Sequence, residues 1–244
     1  MTEKDRLYDR DITRPEDFVF DERVVRVFPD MINRSVPGYA QLVPMIGLIA
    51  RRHAMPHSRI YDLGCSLGAV SLAIAAAADS EDLRVVAVDN SDGMIARLRS
   101  CLADQADTLS CPVDAVQADI RDIEIRNASV VVLNFTLQFV PVADRQALLD
   151  RIEDGLNEGG VLLLSEKMRF EDPVEQRLQS DWHYDFKRAQ GYSELEIARK
   201  RDALENVLQP DSPERHHERL AAAGFTRIVR WFQGFNFVSL AAFK

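Results

Sequence analysis

The chain has 244 residues, 46% hydrophobic and 28% charged, which is an ordinary globular composition. Its 30 Lys and Arg against 39 Asp and Glu give a formal charge of −9. This disfavours direct nucleic-acid binding, because phosphate contacts need a basic face. No apolar run approaches the roughly 18 residues that span a bilayer, the charged start MTEKDRLYDR is unlike a secretory signal, and Cys65, Cys101 and Cys111 lack metal-ligand spacing. The expectation is a cytoplasmic protein with no membrane segment, disulfide framework or metal site.

In chain order, strands and helices begin to alternate near residue 59. Arg59 to Leu63 predicts a short buried strand ending at a glycine turn, and Ala69 to Ala78 a small-residue helix. Arg84 to Val88 is a second strand, and Ser91 can N-cap the helix through Met94, Ile95 and Leu98. Val113 to Gln117 predicts a third strand. Ser129 to Leu133 (SVVVL) predicts a fourth, hydrophobic on both faces as a central parallel strand should be. Ala143 to Leu156 is helical by spacing, Gly159-Gly160 follows it, and Val161 to Leu164 is a fifth strand. Arg227 to Phe232 and Phe235 to Phe243 then read as an antiparallel hairpin turning near Gly234.

This pattern predicts an α/β fold: a doubly wound, mostly parallel seven-stranded sheet closed by the C-terminal hairpin. No repeat or flexible linker divides the chain, so residues 1–244 are expected to form a single domain. Residues 1–56 and 166–213 fall outside the alternation. They are expected as an N-terminal cap and a helical insertion forming a lid over the ligand crevice.

The strand ends carry the chemistry. Asp62-Leu63-Gly64-Cys65-Ser66-Leu67-Gly68 places an acid at the end of a strand, then glycines where a ligand can approach backbone; Ser66 stands where a middle glycine is common. Alone, this also fits a plain strand-to-helix turn. Asp89 ends the second strand, placed to accept from both ribose hydroxyls, and Asn90 follows it. Asp119 and Ile120 follow the third strand, where a carboxylate can take the adenine amino group and an aliphatic side chain cover the ring. Asn134 follows the fourth, facing the reaction centre. Their convergence on one crevice points to an adenosyl cofactor. S-adenosylmethionine fits better than NAD, because the first turn lacks the G-x-G-x-x-G spacing.

The stretches FDERVVRVFPDMINRSVPGY, IYDLGCSLGAVSL, AVDNS, DIRDI, NASVVVLNFTLQF, LLSEK, DFKRAQGYSELEIARKRDALENVL and WFQGFNF run through nearly the whole chain. In that order the chain resembles the carboxy-S-adenosyl-L-methionine synthases, a family of the class I methyltransferase fold. The resemblance implies that S-adenosyl-L-methionine and prephenate give carboxy-S-adenosyl-L-methionine and phenylpyruvate. The sulfonium methyl loses a proton, and the ylide captures carbon dioxide released from prephenate. It implies a homodimer, and a product passed to a tRNA wobble-uridine carboxymethyltransferase. It also implies cofactor contacts at Tyr39, Gly64, Cys65, Ser66, Asp89, Asn90, Asp119, Ile120 and Asn134, with Arg201 facing the new carboxylate.

The same residues also carry readings that do not depend on the resemblance. Ile197, Arg201, Leu204 and Leu208 recur on one helix face, with Arg199 and Lys200 pointing elsewhere. An arginine on an apolar stripe needs a partner: a bound carboxylate, an internal acid, or water reached by its stem. Tyr39 can donate its hydroxyl to a carboxylate or flank the cofactor. Arg34 and Arg188 read as weaker carboxylate ligands, with surface solvation the favoured role. His183 reads as a core or lid residue before a base, and His53, His57, His216 and His217 as exposed helix ends. Cys65 reads as a space-filler. Other readings are a small-molecule methyltransferase, a non-catalytic cofactor-binding partner of a tRNA-modifying enzyme and, disfavoured by acidity, a direct tRNA enzyme.

Overall fold

The computed structural model describes residues 4, 5, 7, 22–105, 108–204 and 207–244. Helices α1 (Glu22–Ser35) and α2 (Tyr39–His53) precede β1 (Arg59–Leu63), α3 (Ala69–Ala77), β2 (Arg84–Asp89), α4 (Asp92–Gln105) and β3 (Val113–Gln117). Then come β4 (Ala128–Asn134), α5 (Arg145–Gly155), β5 (Leu156–Lys167), α6 (Pro173–Ala189), α7 (Glu194–Leu204), α8 (Pro213–Ala223), β6 (Arg227–Gly234) and β7 (Phe237–Phe243).

The seven strands form one sheet in the order β3-β2-β1-β4-β5-β7-β6. The first five are parallel; β7 runs antiparallel to both β5 and β6. This is the expected doubly wound sheet with its terminal hairpin. The chain reverses direction across the sheet between β1 and β4, so a crevice opens beyond their carboxyl ends, where ligands bind in such folds.

Alternating strand residues fill two cores. Tyr61, Leu63, Val131, Leu133, Leu162 and Leu164 pack with Leu148, Leu149 and Ile152 of α5 and Leu220 of α8. On the other face Ile60, Val130, Val132 and Leu163 meet Leu42 and Ile46 of α2 and Val70 and Ile74 of α3. Burying each such side chain contributes roughly 1.5–3 kcal/mol. β4 is buried on both faces up to Leu133, and only its last residue, Asn134, opens toward the crevice.

Helix ends follow their capping residues. Asp172 accepts the Val174 N–H before α6, Ser212 the Arg215 N–H before α8, and Ser91 Oγ the Met94 N–H in α4. Three local expectations are corrected. β5 begins at Leu156 rather than Val161, because Gly159 takes a left-handed φ of 77° and the β4–β5 register shifts there, keeping the glycine pair inside the strand. Leu208 lies outside the helical residues described, although its N–H still donates to Leu204 O at 2.8 Å. His216 is buried, because its face of α8 packs toward Asp211, Arg145 and Arg219.

Candidate active site

A cavity of about 650 Å³ lies at the carboxyl ends of β1, β2 and β4. The nine cofactor contacts and the arginine that the resemblance implies all line it: Tyr39, Gly64, Cys65, Ser66, Asp89, Asn90, Asp119, Ile120, Asn134 and Arg201; Arg34 and Arg188 do not. Residues of α1, α6 and α7 close the side away from the sheet.

The turn after β1 is tied to the end of β2. The N–H groups of Gly64 and Cys65 both donate to Val88 O, at 2.8 and 2.9 Å. Gly64 has φ +79°, and a Cβ there would lie 2.4 Å from Thr136 Oγ1, so only glycine fits the turn at this point. Ser66 takes φ 52° despite its side chain. Its N–H donates to Asp89 Oδ2 at 2.8 Å, and the Ser91 N–H donates to Asp89 Oδ1 at 2.9 Å. The Asn90 N–H also acts on this carboxylate, which still has acceptor capacity for a ligand hydroxyl, although burial pushes it up from its usual range. Asp62 lies behind the turn, accepts from Ser71 Oγ at 2.6 Å, and is pushed up to about 6 by burial.

The other acceptors differ in how far they are already engaged. Asp119 is held below the usual carboxylate range by Arg121, whose Nη2 lies 2.7 Å away and whose Nη1 reaches Asp144 at 2.6 Å. Arg121 was not expected in this site. Asn134 Oδ1 is buried and has no hydrogen-bond partner among the described residues, leaving it an acceptor for a donor in the cavity. Tyr39 packs against Phe135, and burial beside Asp62 pushes its ionisation up, so its hydroxyl stays a donor. Burial and the carboxylates of Asp62 and Asp89 push the Cys65 thiol up, which suits a space-filling group.

The cationic wall departs from expectation. Lys200, expected to point away, is buried in the cavity wall, while Arg201 is exposed at the rim and pairs with Asp202 at 3.0 Å. The buried face of α7 is Ile197, Lys200 and Ala203. It forms because Lys200 Nζ donates to Ser35 Oγ at 3.0 Å and lies 3.5 Å from Asp5 Oδ2, partners that helical periodicity within α7 cannot reveal. Lys167 and Lys187 line the same wall. Burial and the neighbouring lysines push Lys187 down to about 7; burial pushes Lys200 down to about 8 and also lowers Lys167.

His183 Nε2 lies 2.9 Å from Ser35 O, an acceptor, so this nitrogen carries the proton. Burial and the lysines push its pKa down to about 3, which leaves the ring neutral. Arg34, expected at the surface, is also buried. It donates to Gln190 O, Asp5 O and Asp30, and sits 4.0 Å over the Tyr192 ring. Arg188 is exposed and pairs with Asp185 and Glu194. One signal for the missed wall was present: Gln179, His183 and Lys187 form a polar stripe on α6 that is buried. In sequence such a stripe reads as a solvated face.

A methyltransferase domain family matches residues 60–160. Among solved structures, an O-methyltransferase family protein from Burkholderia thailandensis aligns with TM-score 0.65 at 16% identity, over 92% of this chain and 60% of that one. A magnesium protoporphyrin IX methyltransferase from Synechocystis aligns with TM-score 0.61 at 15% identity, over 88% and 87%. These likenesses place the fold among the class I methyltransferases. Curated relatives are far closer in sequence. The carboxy-S-adenosyl-L-methionine synthase of Geobacter metallireducens is 56% identical over 100% of both chains. That of Vibrio campbellii is 55% identical over 98% of this chain and 97% of its own. At such identity over the full length, the chain belongs to the carboxy-S-adenosyl-L-methionine synthase family.

Proposed function

We propose that the chain converts S-adenosyl-L-methionine and prephenate to carboxy-S-adenosyl-L-methionine and phenylpyruvate. The product is then the carboxymethyl donor for a tRNA wobble-uridine carboxymethyltransferase. The observation that carries this reading is the two-sided cavity. One side offers Asp89, Asp119 and Asn134 at the strand ends; the other offers Lys167, Lys187, Lys200 and, at its rim, Arg201. Transfer of a methyl group to a neutral acceptor has no use for that many cations, whereas a dianionic substrate and a carboxylated product do.

The glycine turn at Gly64 and the unpartnered Asn134 Oδ1 fit an adenosyl substrate whose amino-acid arm carries an ammonium donor. The substrate's sulfonium supplies an acidified methyl, and prephenate supplies carbon dioxide and hydroxide as its ring becomes aromatic. The proton removed from the methyl and that hydroxide leave together as water, so no protein base is required. His183 is poorly suited to be one, being buried, hydrogen-bonded to Ser35 O and resistant to gaining charge. Arg201 faces the new carboxylate from the rim, and α1, α6 and α7 act as the lid that keeps water from the carbon dioxide.

The reading includes a cytoplasmic homodimer. The surface available for pairing includes Val174, Leu178 and Trp182, exposed at i, i+4 and i+8 on α6.

The test is to incubate the protein with S-adenosylmethionine and prephenate, denature it, and weigh the released small molecules. A species heavier than S-adenosylmethionine by one carbon dioxide, formed together with phenylpyruvate, is expected. Bound but unmodified S-adenosylmethionine would instead favour a small-molecule methyltransferase or a non-catalytic partner.

A further inference from the structure

Lys167 at the end of β5, Lys187 on α6 and Lys200 on α7 meet on one wall of the cavity. Lys187 and Lys200 are only 6% and 5% exposed. The polar groups around them are largely committed to one another. Lys200 has Asp5 and Ser35. Arg34 is engaged by Asp30 and by the Asp5 and Gln190 carbonyls. The Tyr192 hydroxyl donates to Asp5 Oδ2 at 2.6 Å, and its ring lies 5.6 Å from Lys187 Nζ. Glu196, the other acid acting on Lys187, accepts from the Ser193 N–H and Oγ. His183 is neutral. Among the described residues, neither Lys167 nor Lys187 has an ion pair. Buried cations without counter-charge are costly, and an anion in the cavity relieves that cost.

We propose that Lys167, Lys187 and Lys200 receive the carboxylate of a 2-oxo acid side chain, the carboxylate of prephenate that survives in phenylpyruvate. This deepens the proposed function and rests on it. Position and chemistry both favour that group. In the sheet order the lysine on β5 lies three strands from Asp89 on β2, roughly 14 Å at the usual strand spacing. The wall therefore lies beyond the strand-end side that suits an adenosyl group. A cation held on the departing ring carboxylate would stabilise it as an anion and lose its partner when neutral carbon dioxide leaves, opposing the reaction. A cation on the surviving carboxylate is equally satisfied before and after, and so binds without raising the barrier.

The experiment is calorimetry with S-adenosylhomocysteine present, which lacks the reacting methyl, using prephenate and phenylpyruvate as the probes. For the unaltered protein, binding of either is expected to take up protons at pH 8 and not at pH 6. The neighbours of Lys187 and Lys200 hold them partly neutral at the higher pH, and a bound anion reverses this. Lys187→Met and Lys167→Met should each weaken both probes by the same factor, about tenfold or more. S-adenosylhomocysteine affinity should stay unchanged, and Lys187→Arg should recover part of the loss. Lys187→Gln is the second variant should the methionine fail to fold.

Loss of prephenate affinity alone would assign the wall to the ring carboxylate and overturn the proposal. Parallel loss of S-adenosylhomocysteine would assign it to that ligand's own carboxylate and overturn the proposal equally, as would unchanged affinities or no proton uptake. Failure of the proposed function is separately visible. In that case the unaltered protein forms no carboxylated product from prephenate, whatever the lysine dependence of phenylpyruvate binding.

Discussion

Asp89 Oδ2 accepts the Ser66 N–H at 2.8 Å, so the carboxylate we propose as the ribose acceptor also holds the turn beneath it. Its other oxygen accepts the Ser91 N–H at the start of α4. One side chain therefore joins the end of β2, the turn after β1 and the next helix.

Asp89→Ala is accordingly expected to lose in two measurements. Leaving two backbone donors without their acceptor costs on the order of 1–3 kcal/mol, readable by denaturant unfolding. Affinity for S-adenosylhomocysteine should fall about 100-fold by calorimetry, since two charge-assisted hydrogen bonds are lost. A variant that kept its ligand affinity would show that Asp89 serves the turn alone.

Asn134 gives the opposite combination. Its buried Oδ1 lacks a partner among the described residues, so the folded protein carries the cost of a desolvated acceptor. Asn134→Ala should therefore bind S-adenosylhomocysteine at least about tenfold more weakly, while melting at an unchanged or higher temperature without ligand. A marked fall in melting temperature would mean that the amide supports the end of β4 and is not reserved for a ligand.

The strand-end half of this site was legible in sequence, and the helical half was not. Asp89, Asp119 and Asn134 sit at or just beyond the ends of hydrophobic strands, and a parallel sheet brings such positions together whatever the loops do. Lys200 becomes buried only because Asp5 and Ser35, far away in sequence, meet it. Its neighbour Arg201, on the predicted apolar stripe, is left at the rim. Helical periodicity reports which face is apolar; it does not report which polar residue has a distant partner. Arg34 was misplaced for the same reason, since Asp5, Gln190 and Tyr192 hold it in the interior; His216 is buried with neither ring nitrogen hydrogen-bonded among the described residues, which its polar neighbours in sequence do not signal.

The lysine wall should appear in the pH dependence of stability. Lys187 is pushed down to about 7 in the folded protein, from an ordinary value of 10.5. Between those limits the unfolded chain binds more protons, so this group's contribution to stability rises with pH across that range and is lost as pH falls through about 7. Lys187→Met removes the burden of a buried charge. It is expected to stabilise the protein at pH 6 by up to about 5 kcal/mol, with an effect below about 1 kcal/mol near pH 10. Denaturant unfolding at the two pH values checks this. Equal effects at both would mean that Lys187 is not held neutral by its surroundings.

Arg201 should act on ligand choice and leave the fold alone. It is exposed and interacts with the adjacent Asp202 and with Tyr184, contacts that contribute little to stability at a surface. Arg201→Ala should therefore melt with the unaltered protein. It lies on the rim of the cavity that Asn134 also lines, and the role proposed for it is to meet the carboxylate attached to the methyl group. The variant should bind S-adenosylmethionine normally and carboxy-S-adenosyl-L-methionine about tenfold more weakly, as expected for one lost charge-assisted hydrogen-bonded pair. A calorimetric comparison of the two ligands decides it: unchanged discrimination between them would remove Arg201 from the site and leave the buried lysines as the cations available to the new carboxylate.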